Sequence, residues 1–427
     1  MPGRPKLGLD VSSAKTLLPV ADARAAVLTA VEGPLGAEPV ALSAALGRVL
    51  AEDMRAGEDV PGLDNSAMDG YAVRAADTAA VPAPLRIAGE SRAGAPADHA
   101  LGEGEAFRIS TGATIPAGAD AVVRVEDTEP VEGEEKVRIL SAVEAGGDIR
   151  RAGEDIRSGD VALRAGSLLG PAELGVLVSL GVPEPRCSRQ PRVAIVCTGD
   201  ELLGAAEPMR PGGVRNSNAE ALRALATLAG AKVVAVERCG DDAESTRDAS
   251  ERALGADVAV FSGGVSVGEH DHVKEALRHH GAEERFWGVA LRPGKPTWFG
   301  VKAGGPQSAR ALAFGLPGNP VSALVTFVLF VRPALRALAG AHPRLDSTTA
   351  MLADRVARMP SRDQAVRCRL ELTNEGWLAH PTGHQGSHVL TSMLGADALA
   401  VIEAGVRDAP AGEPVRVDLL RVASGAL

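Results

Sequence analysis

The sequence predicts a multidomain α/β and β protein: a three-layer α/β domain on a parallel-rich sheet, a small β domain before it and a β-barrel after it. Three observations lead there. The apolar runs R-V-A-I-V-C (192–197), K-V-V-A-V-E (232–237) and D-V-A-V-F-S (257–262) alternate with helical patterns, the signature of buried parallel strands with helices on both faces. Between Gly57 and Gly159 the chain is rich in Gly and Pro, with short alternating runs such as A-V-V-R-V-E (121–126) and K-V-R-I-L (136–140), which read as small β structure. After Gly340 alternation returns in A-V-R-C-R-L-E-L (365–372) and P-V-R-V-D-L-L (414–420).

Taken in order, the first sixteen residues hold no apolar run and read as a leader rather than a signal peptide. Residues 21–31 have helical spacing, and a second helix is expected over Leu42–Ala51. Within the α/β region further strands are expected at 285–291, 297–301 and 311–315, followed by a long apolar helix from Pro320 to Leu338. With 427 residues, the chain exceeds one hydrophobic core and should hold two to four domains at about 100 to 200 residues each. Cys187, Cys197, Cys239 and Cys368 are far apart, which indicates a reducing cytoplasm rather than zinc or a disulfide framework. A net charge of −10 with 3% aromatic residues argues against nucleic acid, and no uncharged stretch has the length of a membrane span.

Ligands of a parallel α/β sheet bind beyond the carboxyl ends of its strands, so the loops leaving those strands come first. T-G-D-E-L (198–202) places Asp200 and Glu201 past the first strand; taken alone it reads more readily as a turn followed by a capped segment than as a site. S-G-G-V-S-V-G-E-H-D (262–271) is a glycine-rich exit leading to a helix near Asp271, where Ser262, Gly263, Gly264, Ser266 and Gly268 let backbone N–H groups approach an anion. Asp271 also suits a helix cap, and His270 and His272 read as solvated loop residues. The loop matches neither a P-loop nor a dinucleotide fingerprint. A-L-R-P-G-K-P-T (290–297) holds Arg292 and Lys295 on a rigid turn, and G-L-P-G-N-P-V-S-A-L (315–324) brackets a helix start with Pro317 and Pro320. Three further polar segments lie outside the sheet: V-P-G-L-D-N-S-A-M-D-G-Y-A-V-R (60–74), with no helical or strand period around Asp69 and Tyr71, R-I-S-T-G-A (108–113), and I-R-R-A-G-E-D-I (149–156). T-G-H-Q-G-S-H (382–388) is a fourth. Such clusters are commoner at sites than in cores.

In order and wording, these segments resemble the MoeA family, whose counterpart in animals and plants is the E domain of gephyrin-like proteins, over residues 17–425. The resemblance implies four domains: residues 17–36 and 187–341 as an α/β molybdopterin-binding domain, 37–55 and 160–186 as a linking domain, 56–159 as a β-rich domain that completes the partner's active site in an elongated homodimer, and 342–427 as the barrel. It implies a transferase that inserts molybdate into adenylylated molybdopterin, with magnesium-dependent release of AMP, supplied by an adenylyltransferase. The catalytic positions it implies are Asp69, Thr111, Arg150, Asp155, Glu201, Asp241, Asp271, Pro317 and Pro320, with Glu201, Asp241 and Asp271 around the metal. The pterin would rest on Asn216, Asn218 and the glycine loop, and the oxyanion on Arg292, Lys295, Ser322, Ser387 and Arg367, for which Arg369 is a rival. Magnesium on carboxylates and phosphate suits a phosphoanhydride leaving group, and fixed cationic donors suit a tetrahedral dianion.

Two departures stand out. Gly288 occupies a position where many members carry a base, and Arg292 replaces a common lysine, keeping charge but changing donor geometry. Other readings of the chain are a molybdopterin adenylyltransferase, which lacks the flanking β domains, a non-catalytic scaffold of the gephyrin type, and a nucleotide-binding oxidoreductase, whose glycine fingerprint and acidic ribose partner are missing.

Overall fold

A computed structural model describes residues 17–266, 272–305, 310–343 and 346–420. The chain divides into two compact units, one of residues 39–46 and 50–186, the other of the remainder.

The larger unit contains a six-stranded sheet: β1 (Arg192–Thr198), β2 (Lys232–Cys239), β3 (Val258–Ser262), β4 (Ala282–Trp287), β5 (Trp298–Lys302) and β6 (Ala311–Leu316). Its spatial order is β2-β1-β3-β6-β5-β4. The first four of these are parallel, and β5 and β4 join antiparallel. Helices α1 (Ser217–Leu228), α2 (Ala243–Ala253), α3 (Val273–His279), α4 (Pro320–Thr326) and α5 (Arg332–Leu338) cover both faces. Leu222 and Ala226 of α1 share one core with the helix Val20–Thr29 and with α4 and α5. Ala249, Ala253, Val273 and Leu277 of α2 and α3 form the opposite core. Capping fixes where α1 and α2 begin: the Asn216 side chain accepts from Ala219 N, and Asp242 accepts from Glu244 N and Ser245 N.

The long apolar helix is continuous but not uniform. A π-helical turn at Phe327–Val331 separates α4 from α5, directly before Pro333, whose missing N–H and bulky ring disturb the regular ladder. Pro320–Leu338 is long and apolar enough to cross a membrane, but 78% of it is buried inside the protein, the environment of a core helix. Beyond it, five strands close on themselves into a barrel: Asp363–Thr373, Gly376–Pro381, Ser347–Leu352, Pro414–Leu419 and Ala398–Ile402, which returns to Asp363–Thr373.

The smaller unit holds a six-stranded mixed sheet, in spatial order Ala121–Arg124, Gly70–Val73, Glu105–Ile109, Ala83–Ser91, Lys136–Ile139 and Thr128–Pro130. Its faces bury separate clusters around Val123 and Phe107. The helix Pro171–Ser179 starts on a proline, with Glu173 bonding back to Gly170 N at 2.9 Å.

Three expectations need correction. The helix over Leu42–Ala51 is only a 3-10 turn at Leu42–Ala44, since Gly47 takes a left-handed φ of +73°. The strand expected at 285–291 is Ala282–Trp287, ended by Gly288 at φ +88°; Val289 and Leu291 are apolar because they are buried, not because the strand continues. The segment at 60–74 does hold a strand, Gly70–Val73. A Cβ at Gly70 would fall 2.0 Å from the Val123 carbonyl oxygen, so that strand begins on a residue its propensity disfavours.

Candidate active site

The register aligns the carboxyl ends of four strands, pairing Thr198 with Cys239, Cys197 with Ser262 and Ser262 with Leu316. The loops leaving this edge enclose a cavity of about 660 Å³, the size of a small-molecule site. Of the anticipated residues, Glu201, Asn216, Asn218, Ser262, Gly263, Gly264, Ser266, Pro317 and Pro320 line it. Gly263 and Gly264 adopt φ of +96° and +66°, values only glycine takes readily. A Cβ at Gly263 would lie 2.6 Å from the Thr198 hydroxyl, and one at Gly264 2.7 Å from Val273. The loop is braced from outside, because the Trp287 indole N–H donates to the Val265 carbonyl at 2.8 Å. Gly268 and Asp271 lie outside the described residues, and α3 begins at Val273.

The floor of the cavity is polar and incompletely bonded. Asn218 Nδ2 donates to the Gly318 carbonyl at 2.7 Å and to Ser262 Oγ at 2.9 Å, while Asn218 Oδ1 has no partner. Thr198 Oγ1 is likewise buried and unpartnered. Most buried polar atoms find partners, so two orphans in one cavity mark a place a ligand would complete. Asn216 also caps α1, which gives it a structural duty as well.

Acidic groups follow the same edge. Glu201 lines the cavity and its backbone carbonyl accepts from Val214 N at 2.8 Å. Asp241 follows β2, where its Oδ2 accepts from Asp200 N at 3.2 Å, while Asp200 Oδ1 accepts from Asp241 N at 3.3 Å. These reciprocal bonds lock the two exit loops together. Among the described residues, no three His, Cys, Asp or Glu side chains gather in a metal-binding group.

The predicted cationic residues stand apart from that edge, although Arg215, which the sequence did not single out, lines the cavity with its Nη1 donating to the Gly204 and Glu207 carbonyls at 2.6 Å. Pro296 lines the cavity, whereas Arg292 and Lys295, exposed on the same turn, do not. Arg292 Nη1 lies 3.4 Å from Met359 Sδ, and neither cation has a carboxylate partner among the described residues. Of the two rival arginines, Arg369 is exposed and Arg367 is 1% exposed. The T-G-H-Q-G-S-H loop wraps Arg367: its Nε donates to Ser392 Oγ at 3.2 Å, its Nη2 to the Gly386 carbonyl at 3.3 Å, and its backbone N–H to Gln385 Oε1 at 3.0 Å. Burial, aided by the nearby Arg292 charge, pushes its pKa down to about 10. Ser387 ties this loop to the start of α4, its carbonyl accepting from Val321 N at 3.1 Å and its Oγ lying 3.3 Å from Asn319 Nδ2. Ser322 is buried in the first turn of α4, and His388 reaches the cavity wall.

The other predicted acids and Arg150 belong to the smaller unit. Asp69 Oδ1 accepts from Thr111 N at 2.7 Å. Arg150 pairs across strands with Asn65, and Asn65 bridges to Thr114, so Thr111 and Arg150 sit on segments flanking one short strand. Asp155 is farther along, bonded through its backbone N–H to the Val60 carbonyl at 3.1 Å. All four are exposed. Asp64 and Arg151 instead form an ion pair at 2.6 Å, and the Ala152 N–H and Arg151 hold the Asp64 carboxyl below the usual range. Sequence reasoning missed Thr198 and gave Asp200 no role; a threonine ending a strand carries no period that marks it.

Three family profiles match this chain: the MoeA N-terminal region (domain I and II) over residues 18–181, the probable molybdopterin binding domain over 194–337, and the MoeA C-terminal region (domain IV) over 349–420. A molybdopterin molybdenumtransferase from Haemophilus influenzae is 35% identical over 409 residues, covering 94% of this chain and 98% of its own. One from Bacillus subtilis is 35% identical over 396 residues, covering 91% of each. A crystal structure of a molybdopterin biosynthesis MoeA protein from Pyrococcus horikoshii superposes with TM-score 0.81 at 29% identity, over 95% of this chain and 100% of that one. With all three regions in order and the α/β cavity between them in sequence, the chain belongs to the MoeA family of molybdopterin molybdenumtransferases, transferases of molybdenum cofactor biosynthesis.

Proposed function

We propose that the chain binds adenylylated molybdopterin in the cavity beyond β1 and β3, where water cleaves the phosphoanhydride to release AMP and leave the pterin phosphate, and where the two dithiolene thiols take up molybdate, their protons leaving with one of its oxygens as water, to give Mo-molybdopterin. One observation carries this reading: a cavity lined by the glycine loop and by Glu201 on its sheet side, in the same unit as a buried arginine with no carboxylate partner. The N–H groups at 263–266 suit the phosphate, and Pro317 and Pro320 hold the wall rigid. Glu201 and Asp241 offer hard carboxylate oxygens, which fit magnesium, and as only a pair they need phosphate and water to complete its shell. Asp271 is proposed as a third ligand. Bound there, the ion would supply positive charge to the departing phosphate.

Arg292, Lys295 and Arg367 neutralise the molybdate dianion, and Ser387 and Ser322 donate hydroxyl hydrogen bonds to it. Asp69, Thr111, Arg150 and Asp155 act at the active site of a partner subunit in a homodimer. The four buried, unpaired cysteines suit a cytoplasmic protein, and an adenylyltransferase is the enzyme that supplies the substrate.

The test is AMP release from adenylylated molybdopterin, with and without molybdate, by wild type and Asp241→Ala. Wild type should release AMP only with molybdate present, Asp241→Ala should lose turnover, and Asp241→Asn, which keeps an oxygen to accept from Asp200 N, should lose it while unfolding at the wild-type temperature. Unchanged turnover removes Asp241 from the mechanism. Accumulation of adenylylated pterin from molybdopterin and ATP would instead identify an adenylyltransferase.

A further inference from the structure

Resting on the reading above, we propose that Thr198 and Asn218 form a subsite that reads a hydrogen-bond-donating edge of the ligand's heterocycle, separate from the glycine loop that takes its phosphate. Both residues are only 8% exposed, and each leaves one oxygen without a partner. The orientation of the Asn218 amide is fixed by chemistry: the Gly318 carbonyl, 2.7 Å away, can only accept, so the atom facing it is the NH2 group. Its Oδ1 therefore accepts and nothing else. The anhydride-linked phosphates of an adenylylated ligand and the oxygens of molybdate carry no proton to give at neutral pH, and placed there they would meet a carbonyl dipole of the wrong sign. A ring N–H or exocyclic amine satisfies it.

Thr198 lies across the exit of β3 from Asn218. Its hydroxyl contacts the position where Gly263 lacks a Cβ, and Ser262, which precedes that glycine, takes the Asn218 donor. The two orphan oxygens thus belong to residues beside the start of the glycine loop, on the lining of one cavity. The Thr198 hydroxyl can donate or accept, so the pair matches an edge with at least one donor, such as the amine and ring nitrogen of adenine or of a pterin. The cavity that both residues line has room for such a ring, and a buried site built to pair a donor rejects analogues that lack it.

Isothermal titration of the full chain compares AMP with its 6-desamino analogue, pterin with its 2-desamino analogue, and inorganic pyrophosphate and Mg²⁺ as probes without an N–H. For wild type, one amino and desamino pair should differ by at least about tenfold, and which pair responds identifies the ring seated there. Asn218→Ala should erase that difference, Thr198→Val should weaken the amino ligand, and Thr198→Ser should restore it, with pyrophosphate and Mg²⁺ affinities unchanged throughout. No difference in either pair overturns the proposal, as does an equal loss of pyrophosphate or Mg²⁺ binding in the variants. Should Asn218→Ala fail to fold, Thr198→Val and Thr198→Ser decide alone, since both keep the packing of the site. A failure of the transferase reading registers as absent AMP release with these binding ratios intact, which separates it from failure here.

Discussion

Replacing Arg367 by Met tests whether a buried cation is kept for a ligand rather than for stability. Burial lowers its pKa from 12.5 to about 10. At about 1.4 kcal/mol per tenfold in proton affinity, holding the charge costs roughly 3 kcal/mol, an upper bound because residual water screens part of it. Its side-chain bonds to Ser392 and Gly386 return about 1 kcal/mol each. Met fills the slot with no charge, so the ligand-free variant should gain about 1 kcal/mol, a rise in melting temperature of about 2–4 °C. The sign can be checked against pH. The penalty is fully present below pH 10 and fades as pH rises from about 10 toward 12.5, where the folded arginine loses its proton before the unfolded one does. Calorimetry at neutral pH, with and without molybdate, decides the question: wild type should be protected by molybdate, the variant more stable at rest and unprotected. A variant that melts several degrees lower, or one that molybdate protects as strongly as wild type, refutes the argument.

Ser387→Ala should raise the molybdate requirement while leaving pterin binding within about twofold, as expected for one lost hydrogen bond; an equal loss of both in a titration removes Ser387 from the oxyanion site. Gly263→Ala, forced to φ +96° with its Cβ 2.6 Å from the Thr198 hydroxyl and 2.9 Å from the Thr198 carbonyl, should lose about 2–4 kcal/mol of stability in urea unfolding and weaken pyrophosphate binding. Mixing inactive Asp69→Asn subunits with inactive Asp241→Asn subunits should restore about one quarter of wild-type AMP release, since half of randomly formed dimers carry one intact composite site. No recovery after confirmed subunit exchange would place both residues within one subunit's site.

The α/β sheet was legible because buried parallel strands write themselves as uninterrupted apolar runs. β1, β2, β3, β5 and β6 begin and end within two residues of the expected ranges. The misplaced strand, β4, shows where pattern fails: Val289 and Leu291 are as apolar as its own residues, yet Gly288 has already turned the chain, and Leu291 opens a separate strand that pairs with Asp363–Thr373 of the barrel. Leu42–Ala51 erred for a related reason, since its apolar residues fit a helical stripe while the backbone obeys Gly47. For the site, loop position was informative and side-chain orientation was not. Rank along the sheet edge gathered Glu201, Ser262 and the glycines into one cavity, whereas Asn218, which lines it too, came only with the family resemblance. Nothing in the spelling of R-P-G-K-P told that Arg292 and Lys295 would stand outside its lining, or that Arg367 rather than Arg369 would be buried. Alternation along a barrel strand assigns the two arginines to the same face, and only the wrapping loop at 382–388 tells them apart.

That distribution of charge also explains how the chain manages without a base at position 288. Gly288 is buried at φ +88°, its N–H donating to the Thr297 carbonyl at 2.9 Å and its own carbonyl accepting from Leu18 N at 3.0 Å. A side chain there would be strained by its backbone and would meet Leu17, 3.0 Å from the Cβ position. A lysine could not simply be restored; the local backbone is shaped around its absence. The positive charge available to the proposed oxyanion therefore rests on Arg292, Lys295 and Arg367, with Arg292 and Arg367 on strands of the barrel sheet, while the sheet side offers neutral N–H groups, the Glu201 carboxylate and Arg215, whose Nη1 already donates to the Gly204 and Glu207 carbonyls. In our reading, such a site holds a pterin phosphate through backbone dipoles, Arg215 and a metal ion, and keeps Arg292, Lys295 and Arg367 for the oxyanion, which arrives separately and must be discriminated from phosphate already in the cavity.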